Sequence, residues 1–211
     1  MKLGDIKLQA LSLIFPDGAF EYACKDMESL IFNLKSGSGY ASYLVATVGA
    51  INRAFTIIEQ RGLLNKSSFA LKSEYGNKIG DFCYFDLNAK KEIFSIDRVF
   101  CDFNGKRQSL FYEMQNNMLA VKTASAQGEI GIVYREKIKR IDFLTSDNEE
   151  INLPYAIEEM IPYFVKADLL FGERPEQARA ARELFDKALD ECQAVCEENA
   201  EIETVYSMGG I

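Results

Sequence analysis

The spacing of apolar residues changes twice along this chain, and these changes constrain its fold more than any other feature. From about residue 40 to 61 the apolar side chains recur every three or four residues, as on one helix face: Leu44, Val48, Ile51, Phe55 and Ile58. From residue 63 to 145 they fall into short runs rich in aromatic and β-branched residues, such as FCYFDL and IFSIDRVFCDF. After residue 146 the helical spacing returns. The pattern predicts an α+β protein with helices at both ends of the chain.

The two helical ends each need a partner for their apolar faces, and the simplest partner for each is the other. We therefore expect a helical bundle built from residues 1–62 and 146–200. An antiparallel β-sandwich or small barrel, residues 63–145, is inserted in its middle. Residues 201–211 lack a core pattern, so we expect them to form a flexible C-terminal tail.

Turn-forming residues set the predicted element boundaries. Three pairs in the β module indicate hairpin or loop turns: Asn104-Gly105, Asn116-Asn117 and Gln127-Gly128. In the C-terminal part, Pro154 fits the first turn of a helix and Pro162 is expected to kink that helix. Gly172 is expected to end it, and Pro175 to begin the final one.

Charge is distributed unevenly along the chain, whose formal net charge is -8. Residues 146–211 hold 16 acidic and 5 basic side chains, whereas residues 1–145 hold 16 acidic and 19 basic ones. An acidic surface repels the nucleic-acid backbone, which disfavours a sequence-reading DNA-binding protein. The chain has no run of about 18 apolar residues, so we expect no membrane span. The opening stretch MKLGDIKLQALSLIF lacks signal-peptide features, so we expect a cytoplasmic protein.

The residue types needed for common catalytic sites are missing or scattered. The chain has no histidine, which excludes histidine-based triads and HExxH metal sites. Its five cysteines lack CxxC spacing and are expected to fill the core; Cys192 and Cys196, one helical turn apart, could otherwise share a soft metal. Asp97, Asp102 and Glu113 are the nearest candidates for a carboxylate pair, but solvent-facing acids are expected at such positions. We therefore predict no enzyme, no catalytic, metal or cofactor site, and no cofactor.

Two further segments have a functional and a structural interpretation. The glycines of SGSGY, residues 36–40, lack the spacing and the Lys-Ser/Thr of a phosphate-binding loop, which favours a linker. Five basic residues are expected near one end of the sheet: Lys122, Arg135, Lys137, Lys139 and Arg140. They suit a nucleic-acid patch or, more simply, edge-strand lysines that discourage unwanted strand pairing.

The C-terminal segment INLPYAIEEMIPYFVKADLLFGERPEQARAARELFDKALDECQ resembles the helical hairpin of head–tail adaptor (connector) proteins of tailed phages and prophages. The shared features are Pro154, Ile161-Pro162-Tyr163, Gly172-Glu173, Pro175-Glu176, Ala178 and Phe185. The segments MKLGDIKLQALSLIF and YLVATVGAINRAFTIIEQRG are similar to that family's first helices, and YFDL, DRVF and VYSM are similar to prophage members.

The resemblance implies a structural role. Such adaptors form a homo-oligomeric ring, commonly of twelve subunits, below the portal protein; the ring extends the DNA channel and docks tail or stopper proteins. The implied location is the host cytoplasm during assembly and then the virion neck, with no membrane contact and with DNA passing without sequence-specific binding. Two alternatives stay open: a ligand- or carbohydrate-binding β module on a helical scaffold, and a small phage DNA-packaging or regulatory protein.

Overall fold

The structure is a computed structural model of the 211-residue chain. It describes the following residues: 1–16, 26–28, 40–90, 92–103, 106–122 and 128–208. The side chains described end at Val195 and leave out residues 102, 103 and 106. The predicted glycine linker at 36–39 and the Asn104-Gly105 turn therefore lie outside the described residues.

The described chain is α+β, with helices before and after two antiparallel sheets. The helices are α1 (Leu3–Ile14), α2 (Ala41–Gln60), α3 (Tyr155–Glu158), α4 (Ile161–Leu170) and α5 (Pro175–Met208). The strands are β1 (Lys66–Lys72), β2 (Asn77–Ile79), β3 (Phe82–Asp86), β4 (Ile93–Phe103), β5 (Lys106–Ser109), β6 (Tyr112–Gln115), β7 (Met118–Lys122) and β8 (Glu129–Glu136). The predicted α+β class and antiparallel pairing are confirmed.

The chain divides into two compact units, described separately below. Unit 1 comprises Met1–Leu63 and Lys139–Ile211, and unit 2 comprises Leu64–Ile138. The sequence prediction assigned residues 139–145 to the β module, whereas they fall in unit 1. A contact with α2 accounts for this: both backbone groups of Ile141 bond to the side chain of Asn52.

Unit 1 is organised around α4, which contacts α1, α2 and α5. Apolar side chains at helical spacing supply its core, because each helix turns one apolar stripe inward. Fully buried examples from the four helices are Ile6, Phe55, Val165 and Phe185. Phe185 packs against Phe164 with ring centroids 5.0 Å apart, which joins α5 to α4.

Backbone bonds tie the start of the chain to the segment before α3. The amide of Leu3 donates to the carbonyl of Glu149 at 2.9 Å, and the amide of Gly4 donates to Asp147 at 2.9 Å. Lys7 on α1 is only 7% exposed, and its ammonium contacts the Asp147 carboxylate at 2.8 Å. Burial of the lysine requires this partner, because an unpaired buried charge is costly.

Unit 2 holds two four-stranded sheets, in the orders β1-β8-β4-β5 and β2-β3-β7-β6. Side chains from both sheets form one core: Cys83, Phe85, Leu87, Val99, Leu119, Val121, Ile130 and Ile132. Alternate residues point inward: Cys83 and Phe85 on β3 are buried, whereas their neighbours on the strand are more exposed. The predicted turn at Asn116-Asn117 is confirmed, since both residues have positive φ and join β6 to β7.

Two helix boundaries differ from the prediction. Pro162 does not kink a long helix: α3 ends at Glu158, and Pro162 lies in the first turn of α4, where its missing N–H removes no helical bond. The final helix continues to Met208, beyond the predicted start of the tail at residue 201. Residues 201–208 are helical, and this does not test the prediction that the tail is flexible.

Helix α2 departs from the expectation that no segment could span a membrane. By length and composition alone it is the one described helix that qualifies, with a mean hydropathy of 1.3 over an 18-residue window, of which 39% is buried. The core helix of a soluble protein meets the same test. The buried residues of α2 include Ile51, Ala54 and Phe55, which recur at helical spacing and line the core of unit 1.

Candidate functional site

Among the described residues of unit 1, a short turn exposes two large apolar side chains; we call residues 141–145 the Phe143 turn. Its Phe143 and Leu144 are 71% and 93% exposed, although both are large and apolar. Ile141, immediately before them, is 5% exposed. The chain therefore buries the side chain of Ile141 and exposes those of Phe143 and Leu144.

The side chain of Asn52 fixes the beginning of this turn. Its amide nitrogen donates to the Ile141 carbonyl at 2.8 Å, and its oxygen accepts the Ile141 N–H at 3.1 Å. The guanidinium of Arg140 is held beside it, donating to the Asn52 carbonyl at 3.3 Å and pairing with the buried Glu59. An asparagine side chain here acts like a neighbouring strand, satisfying both backbone groups of one residue.

Side-chain bonds within the turn fix its shape. The Asp142 carboxylate accepts the Leu144 N–H and the Thr145 hydroxyl, both at 2.9 Å. The same hydroxyl accepts the Asp142 N–H at 2.9 Å. The Thr145 hydroxyl, followed by the Leu144 amide, lowers the pKa of Asp142, because both bonds favour the charged carboxylate. The turn is thus fixed by Asn52 and by its own Asp142 and Thr145, and none of these bonds involves the side chains of Phe143 or Leu144.

Unit 1 also carries an open apolar groove between α4 and α5, with a volume of about 580 Å³. It is lined by Ala167, Asp168, Phe171, Pro175, Ala178, Arg179, Arg182 and Glu183. Phe171 at its rim is 78% exposed. The guanidinium of Arg182 lies 4.9 Å from the Phe164 ring centroid and donates to Asp186 at 2.9 Å, so it serves packing within the unit.

Unit 2 carries a separate groove of about 630 Å³ between the first half of β4 and β6. Ten residues line it: Leu87, Lys90, Ile93, Phe94, Ser95, Ile96, Tyr112, Met114, Asn117 and Lys137. Tyr112 crosses the groove, since its hydroxyl donates to the Ile96 carbonyl at 2.7 Å. Burial of Tyr112 raises its pKa, so it remains a neutral hydrogen-bond donor.

Of the carboxylates considered for catalysis, the two with described side chains lie in different sheets. Asp97 on β4 accepts a bond from Arg135 at 3.0 Å and lies 3.5 Å from Lys66, which is a structural ion-pair arrangement. Glu113 is exposed on β6 in the other sheet, and the side chain of Asp102 lies outside the described residues. No observation here pairs two carboxylates across a cleft in the described chain.

The cysteines divide by burial. Cys83 and Cys101 are buried and carry free thiols, as the core-filling prediction expected, and burial raises the pKa of Cys83. Cys192 is half-buried, but the side chain of Cys196 lies outside the described residues, so the predicted pair is not tested. The residues that the structure describes contain no group of three or more potential metal ligands.

The five basic residues predicted to cluster belong to two units. Lys139 and Arg140 lie in unit 1, where they pair with Glu149 and Glu59. Arg135 lies in unit 2 and pairs with Asp97. Lys137 and Lys122 also lie in unit 2. Lys137 lines the unit 2 groove, and Lys122 is the last residue of β7. Three of the five are therefore committed to ion pairs inside their own unit.

Sequence reasoning missed both the Phe143 turn and the unit 2 groove. The sequence IDFLTSD contains a signal for the turn, because Asp followed three residues later by Thr is a common local bonding pattern. The groove has no comparable signal. It depends on which strand edges remain unpaired, and that follows only from the register of eight strands.

Comparisons with known proteins do not assign this chain to a family. No protein-family model matches it, and no curated protein sequence matches it significantly. The function proposed below therefore rests on the sequence resemblance and on the surfaces just described.

Proposed function

We propose that this protein is a structural component of a tailed phage or prophage, a head–tail adaptor that joins a homo-oligomeric ring below the portal. The observation that carries the proposal is the Phe143 turn. It holds Phe143 and Leu144 rigidly in solvent, at 71% and 93% exposure, through bonds that leave both side chains free for a partner. Rigid apolar residues presented in this way suit protein–protein contact, because a preorganised surface loses little entropy on binding.

The helices supply the rigid frame that this role requires. We propose that α1, α2, α4 and α5 form one bundle from both chain ends, which acts as a strut within the ring. This is supported by the contacts of α4 with the other three helices and by the grouping of both chain ends in unit 1. The backbone bonds from Leu3 and Gly4 to Glu149 and Asp147 support it further.

Charge supports a head-to-tail arrangement of subunits. Unit 1 carries 23 acidic and 13 basic side chains, whereas unit 2 carries 9 acidic and 11 basic ones. In a ring each subunit meets its neighbour through two different surfaces, so the acidic helical unit of one copy would face the basic β unit of the next. Acidic surface along the channel would also let DNA pass, because it offers no phosphate contacts.

The first test is the copy number of the protein in purified particles from the parent phage or induced prophage. The adaptor proposal requires a copy number close to that of the portal protein, measured by quantitative mass spectrometry, with labelling at the neck. Absence from finished particles would overturn the proposal. Tight DNA binding at moderate salt by the isolated protein would instead favour the packaging or regulatory alternative.

A matched pair of variants tests the contact itself. Phe143→Ser combined with Leu144→Ser removes the two presented side chains, and we expect the variant to fold but to enter particles at a much lower copy number. The control, Tyr75→Ser with Ile79→Ser, changes two residues of unit 2 that are 74% and 60% exposed. If the control variant enters particles at an equally low copy number, the Phe143 turn is not the docking surface.

A further inference from the structure

The Phe143 turn presents two apolar side chains beside a negative charge. Leu144 and Phe143 are 93% and 71% exposed. Asp142, immediately before them, is also exposed, and its lowered pKa keeps the carboxylate ionised at neutral pH. The bonds that fix the turn hold these three residues in one arrangement before any partner arrives. A partner that complements this turn offers apolar contact and positive charge together.

The unit 2 groove offers this combination. Phe94 and Met114 line it and are each 43% exposed. Lys90 and Lys137 supply positive charge, and none of the ten described lining residues is acidic. The groove volume of about 630 Å³ exceeds that of a phenylalanine and a leucine side chain together. The groove can therefore accept the two apolar side chains of the turn, and its charge complements that of the turn.

The two groove lysines are accessible to a carboxylate from a partner. The Lys90 ammonium lies 4.0 Å from Glu92 and 5.0 Å from the Phe69 ring centroid, and an exposed ion pair at that distance contributes little. Lys137 is exposed, and none of the ion pairs among the described residues includes it. A partner carboxylate can thus approach both ammonium groups without breaking a strong ion pair.

We propose that the Phe143 turn of one copy of this chain binds in the unit 2 groove of the next copy. The two apolar side chains of the turn would contact Phe94 and Met114 and supply most of the affinity. The Asp142 carboxylate would lie beside the two groove lysines and set the register. This inference rests on the proposed role of the turn as a docking surface, and it names the partner as a second copy.

A second copy is favoured because one chain carries both halves of the contact. The turn belongs to unit 1 and the groove to unit 2. After one such contact forms, the first copy still has an unused groove and the second an unused turn, so the contact can repeat head to tail. The charge balance of whole units has the same sense, since acidic side chains are in excess in unit 1 and basic ones in unit 2.

The groove between α4 and α5 is a poorer match for the turn. Its lining contains two carboxylates, Asp168 and Glu183, beside two arginines. One of these, Arg182, already donates to Asp186 at 2.9 Å. This groove therefore offers no excess of positive charge to Asp142, whereas the lining of the unit 2 groove contains two basic residues and no acidic one.

Two variants of the full chain test the contact by sedimentation. The turn variant is Phe143→Ser with Leu144→Ser, and the groove variant is Phe94→Ser with Met114→Ser. All four residues are at least 43% exposed, so we expect both variants to fold. At about 0.5 mM we expect the unaltered protein to associate beyond dimers and each variant to remain monomeric.

An equal mixture of the two variants provides the decisive result. The groove variant has an intact turn and the turn variant has an intact groove, so the mixture should form dimers that grow no further. The control, Tyr75→Ser with Ile79→Ser, should associate like the unaltered protein. In the mixture, ¹⁵N-labelled turn variant should show amide shifts at residues 93–96 and 112–114, whereas labelled groove variant should show them at residues 141–145.

Charge variants test the contribution of the two lysines. Lys90→Glu with Lys137→Glu should weaken binding of the intact turn at least about tenfold, and added salt should weaken binding in the unaltered protein. Lys72→Glu with Lys78→Glu makes the same charge change on other strands of unit 2 and should bind nearly normally. Equal weakening in both charge variants would contradict the assigned position of Asp142.

Several results would overturn this inference. They are an unaltered protein that stays monomeric, a turn or groove variant that associates normally, and a mixture of the two that does not dimerise. If particles exclude the turn variant but accept the groove variant, the turn docks on another virion protein; the inference then fails and the adaptor proposal stands. Absence of the unaltered protein from particles overturns the adaptor proposal, whereas the contact between copies is still decided by the mixing experiment.

Discussion

Gly131 and Phe100 provide a sharp test of the packing in unit 2. They lie opposite each other on β8 and β4, and the ring of Phe100 covers the glycine. A Cβ added at Gly131 would lie 2.2 Å from Cζ of that ring, with two further ring carbons at 2.5 and 2.7 Å. The guanidinium of Arg107 lies 4.1 Å from the ring centroid. Gly131→Ala must therefore displace the ring and disturb this contact.

The expected cost combines three contributions. Overpacking of this kind destabilises by about 1–3 kcal/mol. Loss of an exposed cation–π contact adds about 0.5–1 kcal/mol. Replacing a strand glycine by alanine returns about 0.5–1 kcal/mol, because the unfolded chain has less freedom to lose. We expect Gly131→Ala to lower the free energy of unfolding of unit 2 by about 1–3 kcal/mol.

Native-state hydrogen exchange of the β4 and β8 amides in the full chain measures this change separately from the helices. The decisive comparison is the same substitution in a Phe100→Ala background. Without the ring the added methyl has room, so Gly131→Ala should become neutral or stabilising by up to about 1 kcal/mol. An equal cost in both backgrounds would refute the packing argument.

Three further predictions concern other residues. Asn52→Ala should cost about 1–3 kcal/mol and speed amide exchange at Ile141, because two backbone groups lose their partner; unchanged exchange would contradict the role assigned to the asparagine. The folded pKa of Asp142 is lowered, so its stabilising bonds are complete above the ordinary aspartate pKa of about 3.9 and are lost as pH falls through the lower folded value. An NMR titration midpoint at or above 3.9 would contradict this. Cys83, buried and with a raised pKa, should be alkylated far more slowly than Cys192, as peptide mapping after iodoacetamide treatment would show.

Sequence periodicity predicted the elements whose own residues determine them. The extent of α2 follows from its apolar spacing, and the turn at Asn116-Asn117 follows from residues that tolerate positive φ. The short strands β2 and β5 were not predicted, because their residues are largely polar and exposed. They exist through pairing with β3 and β4.

The candidate surfaces were harder to predict, because each depends on residues distant in sequence. The Phe143 turn requires Asn52, which lies 89 positions before Ile141. Pro162 illustrates a different limit: the sequence showed that the helix changes there, and only the structure distinguishes a kink from a new start. For the Phe143 turn the missing information is a tertiary contact, which completes the local preference.

The discontinuity of unit 1 has a consequence for the order in which the protein folds during synthesis. Unit 2 is contiguous and can fold once Ile138 has left the ribosome, whereas α2 must wait for α4, whose last residue is Leu170. At typical elongation rates the time between synthesis of Gln60 and synthesis of Leu170 is roughly 5–20 s, during which the long apolar helix α2 lacks its partner α4.

Stalled nascent chains ending shortly after unit 2 should therefore show protease-resistant strands and a protease-sensitive α2. Chains that extend well beyond Leu170 should protect both. Early protection of α2 would mean that it finds another partner first. The order of these segments in the chain thus leaves α2 exposed to chaperones until the C-terminal helices have been synthesised, which happens only after unit 2 is complete.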